Sequence, residues 1–169
     1  LNEDKNNKSA LIRKGRLYSF LENDELANES FDLAVKLFPN DAEVLVYRGR
    51  FYNAIAEFDK ALLELNKAIE LDSNYADAYV IKSEINTENE NYMKAIDNLN
   101  TAISIDSTDA EYFQERAIIF EELKNFELAQ KDYNTAIDID SGNIHYWYNR
   151  GDFYENFNKP EMALQDYEY

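Results

Sequence analysis

Few side chains in this 169-residue chain have types and spacings suited to chemistry. The single histidine, His145, stands at the head of a segment beside Tyr146 and Trp147. A hydrolytic triad or a zinc site needs partners at fixed offsets, and neither HExxH nor GxSxG occurs. His145 therefore reads as a surface or groove residue. The run Asp138-Ile139-Asp140-Ser141-Gly142-Asn143 faintly resembles a calcium loop. Its glycine falls one place early, and Asn149 stands where a bidentate Glu belongs, so it reads as a polar turn. Cysteine is absent, which removes thiolate and disulfide chemistry. No glycine-rich phosphate loop occurs. Adjacent carboxylates such as Glu121 and Glu122 point apart on a helix and read as solvated. No catalytic residue, metal or cofactor is expected.

One charged pattern stands out. Lys14, Arg48, Lys82, Arg116 and Arg150 recur every 34 residues, and Glu64, Asp132 and Asp166 lie 16 residues beyond three of them. A basic stripe for a ligand is one reading. The favoured one is a ladder of ion pairs between helices, because partly buried Arg–carboxylate pairs act mainly to fix register.

The same period runs through the apolar residues. The stretch Ala42 to Tyr75 reads as two amphipathic helices joined by a short polar turn, and it recurs from Ala76, Ala110, Ile144 and, backwards, Lys8. In each first helix a bulky residue (Leu11, Leu45, Tyr79, Phe113, Trp147) is followed at i+4 by a small one (Gly15, Gly49, Ser83, Ala117, Gly151). At i+7 stand Tyr18, Tyr52, Asn86, Phe120 and Tyr154, completing one helical stripe. Each second helix carries Ala27, Ala61, Ala95, Ala129 or Ala163, then Phe31, Leu65, Leu99, Tyr133 or Tyr167, then Ala34, Ala68, Ala102 or Ala136. Small and large residues alternating in this way let two helix axes approach closely. Asn40-Asp41-Ala42-Glu43 and Thr108-Asp109-Ala110-Glu111 carry cap chemistry, Pro39 ends a helix and Pro160 opens one. The composition agrees: 45% hydrophobic, 30% charged, with only Gly 4 and Pro 2.

These columns resemble the tetratricopeptide repeat family, over about Lys8 to Tyr169. Departures are Asn86 in place of an aromatic, and Ser in place of Pro in three turns. The resemblance implies an all-α fold, a right-handed α–α superhelix (solenoid) of about five helix-turn-helix units. The expected division is a disordered lead-in over 1–7, units over 8–41, 42–75, 76–109 and 110–143, and an incomplete fifth over 144–169. The stack is expected to continue in the natural protein, or its open C-terminal end to form a homodimer.

The resemblance also implies a concave groove lined by the first helices. Its partner-binding residues are then Arg13, Arg16, Tyr47 and Arg50 early, Glu84, Glu88, Glu111, Gln114, Glu115 and Glu122 in the middle, and His145, Tyr148, Asn149, Asp152 and Glu155 late. Such a groove is basic at the start and acidic further on. Some family members hold a chaperone's terminal carboxylate with a clamp of Lys, Asn and Arg. The matching positions here, among them Ile12, Tyr47, Asp77, Glu111 and Glu115, form no clamp, and the acids would repel that tail.

A net charge of −17 disfavours nucleic acid, whose phosphates need Lys and Arg, and anionic membrane surfaces. No run is long enough for membrane insertion. The expected function is a non-catalytic scaffold that holds a protein or peptide of basic character, in a soluble chain of cytoplasm or periplasm. Two alternatives stand beside it. One is a regulatory or substrate-docking module of a larger enzyme or sensor, and the other a structural unit assembling through its C-terminal end.

Overall fold

The computed structural model describes residues 7–169, and those residues form ten α-helices and no strand. In order they are α1 (Lys8–Phe20), α2 (Asp24–Leu37), α3 (Ala42–Ala54), α4 (Phe58–Leu71) and α5 (Ala76–Glu88). They continue with α6 (Tyr92–Ile105), α7 (Ala110–Glu122), α8 (Phe126–Ile139), α9 (Ile144–Asn156) and α10 (Pro160–Tyr167). The fold is the all-α, helix-pair solenoid class. The expected lead-in lies outside the described residues except for Asn7, whose side chain accepts from the Ala10 N–H and caps α1.

Local chemistry sets the helix ends. Asp41 accepts from the Val44 N–H and Asp109 from the Glu111 N–H, so both acids of the cap motifs act as N-caps. Pro160 occupies the first turn of α10, where its missing N–H costs nothing. Each first helix ends at a residue with positive φ: Glu22 (55°), Ala56 (58°), Glu90 (57°), Lys124 (56°) and Asn158 (56°). At the first of these turns the Asn23 N–H donates to the Tyr18 carbonyl and the Glu22 N–H to that of Ser19. That pairing is the Schellman closure, which satisfies carbonyls left over at the end of a helix.

The chain divides into two compact units, up to Ile85 and from Asn86 onward, with the boundary inside α5. In the first, Leu45, Val46, Ala61, Leu65 and Ala68 pack with Ala78, Ile81 and Ile85. Ala27, Phe31 and Phe51 form a second cluster. In the second, Ala117, Ala129, Tyr133, Phe153, Tyr154 and Ala163 share one core. There the rings of Phe126, Phe153 and Phe157 stack and tilt with centroids 5.0 to 5.3 Å apart. All five column alanines are buried. The small column explains itself at Gly15, where a Cβ would sit 2.7 Å from the Phe31 ring, and at Gly151, where it would collide with Tyr167. Large residues on the second helix therefore require a bare backbone on the first.

At Arg48, Arg116 and Arg150 the basic column forms the expected ion-pair rungs, each Arg of a first helix tying two second helices together. Arg116 donates to both oxygens of Asp132 (2.6 and 2.8 Å) and to the side-chain Oδ1 of Asn100 (2.6 Å), tying α6 to α8. Arg150 repeats this with Asp166 (2.8 and 2.6 Å) and Asn134 (2.6 Å), tying α8 to α10. Arg48 reaches Glu64 (2.6 Å) and Asp32 (3.0 Å) across α4 and α2. Lys82 donates to Asn66 at 2.9 Å. Lys14 lies over the Tyr18 ring, 5.6 Å from its centroid.

Candidate binding surfaces

In the first unit the early groove residues lie on α1 and α3, and Tyr47 and Arg50 of α3 are half-buried. Arg13 and Arg16 are exposed on α1. The Arg16 guanidinium lies 5.3 Å from the Tyr47 ring centroid, a cation–π contact. A small pocket of about 260 Å³ is lined by Arg16, Tyr47, Arg50, Phe31 and Phe51, among others. Arg50 is not purely a positive feature, because Asp77 lies 3.5 Å from it. Glu84 accepts from Asn53 at 2.7 Å. The structure thus brings Arg16, Tyr47 and Arg50 to one pocket.

In the second unit the expected groove residues do not share one place. Glu111 is exposed at the head of α7, with Glu115 half-buried one turn on. Gln114 accepts a hydrogen bond from Asn149 at 2.7 Å, so these two join α7 to α9. Glu121 accepts from Asn156 (2.8 Å) and from the Tyr133 hydroxyl (2.9 Å). Tyr148, Asp152, Glu155 and His145 line a cleft of about 900 Å³ beside α9 and α10.

This cleft is walled by rings and rimmed by carboxylates. Trp147 and Tyr169 stack with centroids 4.1 Å apart, and Tyr148 and Tyr167 lie 5.7 Å apart. The Tyr167 hydroxyl donates to Asp152 at 2.6 Å. Desolvation, together with the Asp152 carboxylate it bonds, holds that hydroxyl protonated well above the ordinary tyrosine range. Aromatic faces beside carboxylates attract a desolvated cation, by ring quadrupole and by charge. Nucleophile and base are not paired here, and no cluster of three or more metal-ligating side chains occurs among the described residues.

Sequence reasoning missed Tyr167 and Tyr169 as part of this surface. Tyr167 belongs to a column that reads as core, and only the return of α10 against α9 turns its ring towards the cleft. Tyr169 lies beyond the last readable column, so nothing in the pattern marks it.

Paired helices of near-constant length up to the shorter α10, a column of buried alanines and side-chain ladders between repeats define an α-helical repeat scaffold. The sequence family described as Tetratricopeptide repeat matches residues 9–41, 110–143 and 144–168, more than half of the chain, and the chain belongs to it. Among solved structures, MamA protein is similar with a TM-score of 0.74 at 23% identity, over 95% of this chain and 88% of that one. PilW, titled a widely conserved type IV pilus biogenesis factor, gives 0.85 at 17% identity, over 98% and 77%. YrrB, titled a TPR protein with an unusual peptide-binding site, gives 0.66 at 20% identity, over 97% and 84%. At these identities the likeness is one of fold. No curated protein matches the chain. No helix among the described residues is long and apolar enough to cross a membrane.

Proposed function

We propose that the chain is a non-catalytic protein-interaction scaffold that holds an extended or helical segment of basic character against the exposed faces of its first helices. The observation that carries this reading is the cleft beside α9 and α10, about 900 Å³ in volume, where Tyr148 and Trp147 meet Asp152 and Glu155. A Lys or Arg side chain entering it would find ring faces and carboxylates together, a pairing that suits a cation better than either element alone. The chain's net charge of −17 adds long-range attraction for a basic partner. Peptide binding in YrrB, as its title states it, is consistent with a peptide ligand for this fold. On this reading Glu111 and Glu115 add to the acidic character of the second unit, and in the first unit Glu84 is a further acid beside Arg13, Arg16, Tyr47 and Arg50, a basic and aromatic patch that suits an acidic stretch.

The test is a peptide array probed with the wild-type chain and with Glu84→Lys, Glu115→Lys and Asp152→Lys combined. Basic peptides are expected to bind the wild type and to lose binding to the variant by tenfold or more, on the order of the cost of juxtaposed like charges. Equal binding by the two chains would refute the reading.

A further inference from the structure

One column is exposed in every repeat, in the middle of the array as at its ends. It runs Phe20, Ala54, Glu88, Glu122 and Asn156, each the last residue of a first helix. Its exposure is set by the repeat and not by the place of α1 in the chain. Four of these positions carry a small or polar side chain, and the fifth is Phe20, 83% exposed. A lone exposed ring is ordinary on a protein surface. This one stands at a pocket of about 260 Å³ between α1 and α3.

The pocket exists because two repeats meet there without a bridge. Asn53 of α3 donates to Glu84 of α5, and Asn156 of α9 donates to Glu121 of α7. Those bonds close the corresponding junctions. Ser19 holds the column of Asn53 and Glu121 and is shorter, while the counterparts of Glu84 and Asn156 are Arg50 and Ala54. The junction between α1 and α3 therefore stays open. Phe31 and Phe51, both buried, stack with centroids 5.4 Å apart and form its floor. Arg50 has α1 before it in the array and still lines the pocket, as Arg16 of the same column does.

We infer that this pocket is a second binding site, opposite in charge to the cleft, which takes one bulky apolar side chain of a peptide whose neighbouring residues are acidic. The inference goes beyond the proposed function and does not depend on the cleft. A volume of about 260 Å³ admits a single large side chain and falls short of the ~300–1,000 Å³ of a drug-sized ligand site. Phe20 and the Phe31–Phe51 floor offer that side chain an apolar seat. Arg16 and Arg50 meet the acids beside it through charge-assisted bonds. Arg16 already rests on the Tyr47 ring and so loses less freedom on binding. Arg50 reaches Asp77 only at 3.5 Å, with both side chains more than 40% exposed, a weak pair that an incoming carboxylate can join. The net charge of −17 repels an acidic partner at a distance. Acids alone are therefore not enough, and the apolar anchor decides which acidic segment is held.

The test is fluorescence anisotropy of a labelled, end-capped peptide with one Phe set among acidic residues, titrated with the full chain. The expected result is saturable binding that weakens about tenfold or more when the peptide's Phe becomes Ala or its acids become Lys. Phe20→Glu and Ala54→Glu give the column the side chain it carries at Glu88 and Glu122. The helical spectrum should therefore stay unchanged, while each variant loses the acidic peptide by a similar factor. Arg16→Gln with Arg50→Gln should do the same. No saturable binding, equal binding of the Phe and Ala peptides, or binding untouched by Ala54→Glu would each overturn the inference. Basic peptides binding to a chain that takes no acidic one would overturn it too, and would leave the proposed function standing. Acidic-peptide binding that Ala54→Glu abolishes, in a chain that takes no basic peptide, would support this site and refute the cleft.

Discussion

The two units build the same rung with different acids. In the second, Arg116 and Arg150 each meet an aspartate through two parallel bonds, using Nε and a terminal nitrogen. In the first, Arg48 meets Glu64 through Nη2 alone, and Arg48 Nε and Glu64 Oε2 are buried without a partner. One added methylene moves the carboxylate from a side-on to an end-on approach. Arg48 donates a further bond to a charged group, Asp32, where Arg116 and Arg150 donate to a neutral asparagine. Burial works against the charge on both Arg48 and Arg150, yet the carboxylate each one bonds holds its guanidinium above the ordinary arginine range. The three Arg–carboxylate rungs thus share a charge pairing but not its geometry, and the units should differ in what they lose when a rung is cut.

The largest expected effect comes from removing an acid where pairing is complete. Asp132→Ala leaves Arg116 buried beside only Asn100, and should cost about 3 kcal/mol in the second unit. Glu64→Ala should cost about 1–2 kcal/mol, because Arg48 keeps Asp32 and the lost pair was already missing one bond. Urea denaturation with hydrogen exchange resolved by unit measures both, since a repeat array can lose one region before another. Equal losses at the two sites would mean that the second bond of the bidentate pair contributes nothing.

Alkaline pH separates the units through their tyrosines. Burial and then the nearby Glu43 and Asp77 charges push the Tyr75 hydroxyl up to about 12 in the first unit. In the second, burial foremost, then the charge of Glu121 and the bond donated to it, raises the Tyr133 hydroxyl further. Both groups are held neutral in the folded chain and ionise more readily when unfolded. Their contribution to stability is therefore complete below the ordinary tyrosine value of about 10 and is lost as pH rises through the folded values. The chain should lose stability from about pH 10 upward. Difference titrations of the phenolate absorbance against Tyr75→Phe and Tyr133→Phe isolate the two rings, and the Tyr75 step should come at lower pH than the Tyr133 step.

A substitution that makes the two rungs alike should be milder and of opposite sign. Glu64→Asp places an aspartate 16 residues beyond Arg48, the offset at which Arg116 and Arg150 form two bonds. Satisfying the two orphaned atoms should stabilise the first unit by about 1 kcal/mol, read as a higher urea midpoint at constant slope. No gain would show that the α2 contact through Asp32 holds Arg48 out of side-on reach.

Much of this was legible from the sequence, and unevenly so. The alanine column, the small residues beneath Phe31 and Tyr167, and the basic column with its acids 16 residues on are all identities repeated at one spacing. They mark residues that must touch. Which carboxylate would pair through one bond and which through two could not be read, because it depends on side-chain length against a backbone separation. The cleft was only partly visible. Tyr148 and Asp152 stood out as exposed groove positions, but the rings that complete the wall depend on how α10 packs against α9.

The least legible column is the turn at the end of each first helix, and it supports the smallest prediction. Glu22, Ala56, Glu90, Lys124 and Asn158 share a φ of 55 to 58° but no common side-chain type. Glycine usually marks such a place, since it enters the left-handed region without a Cβ clash, and its absence leaves the position without a sequence signature. The five residues should not be equally strained. Asn tolerates this conformation, whereas Ala, Glu and Lys do not. Ala56→Gly in the first unit should therefore raise stability by about 0.5–1 kcal/mol, and Asn158→Gly in the second by less, because glycine's larger unfolded-state entropy offsets a smaller relief. Thermal midpoints of the two variants measure the difference. A larger gain at Asn158 would mean that the Schellman closure, and not the φ of its central residue, carries the cost of the turn.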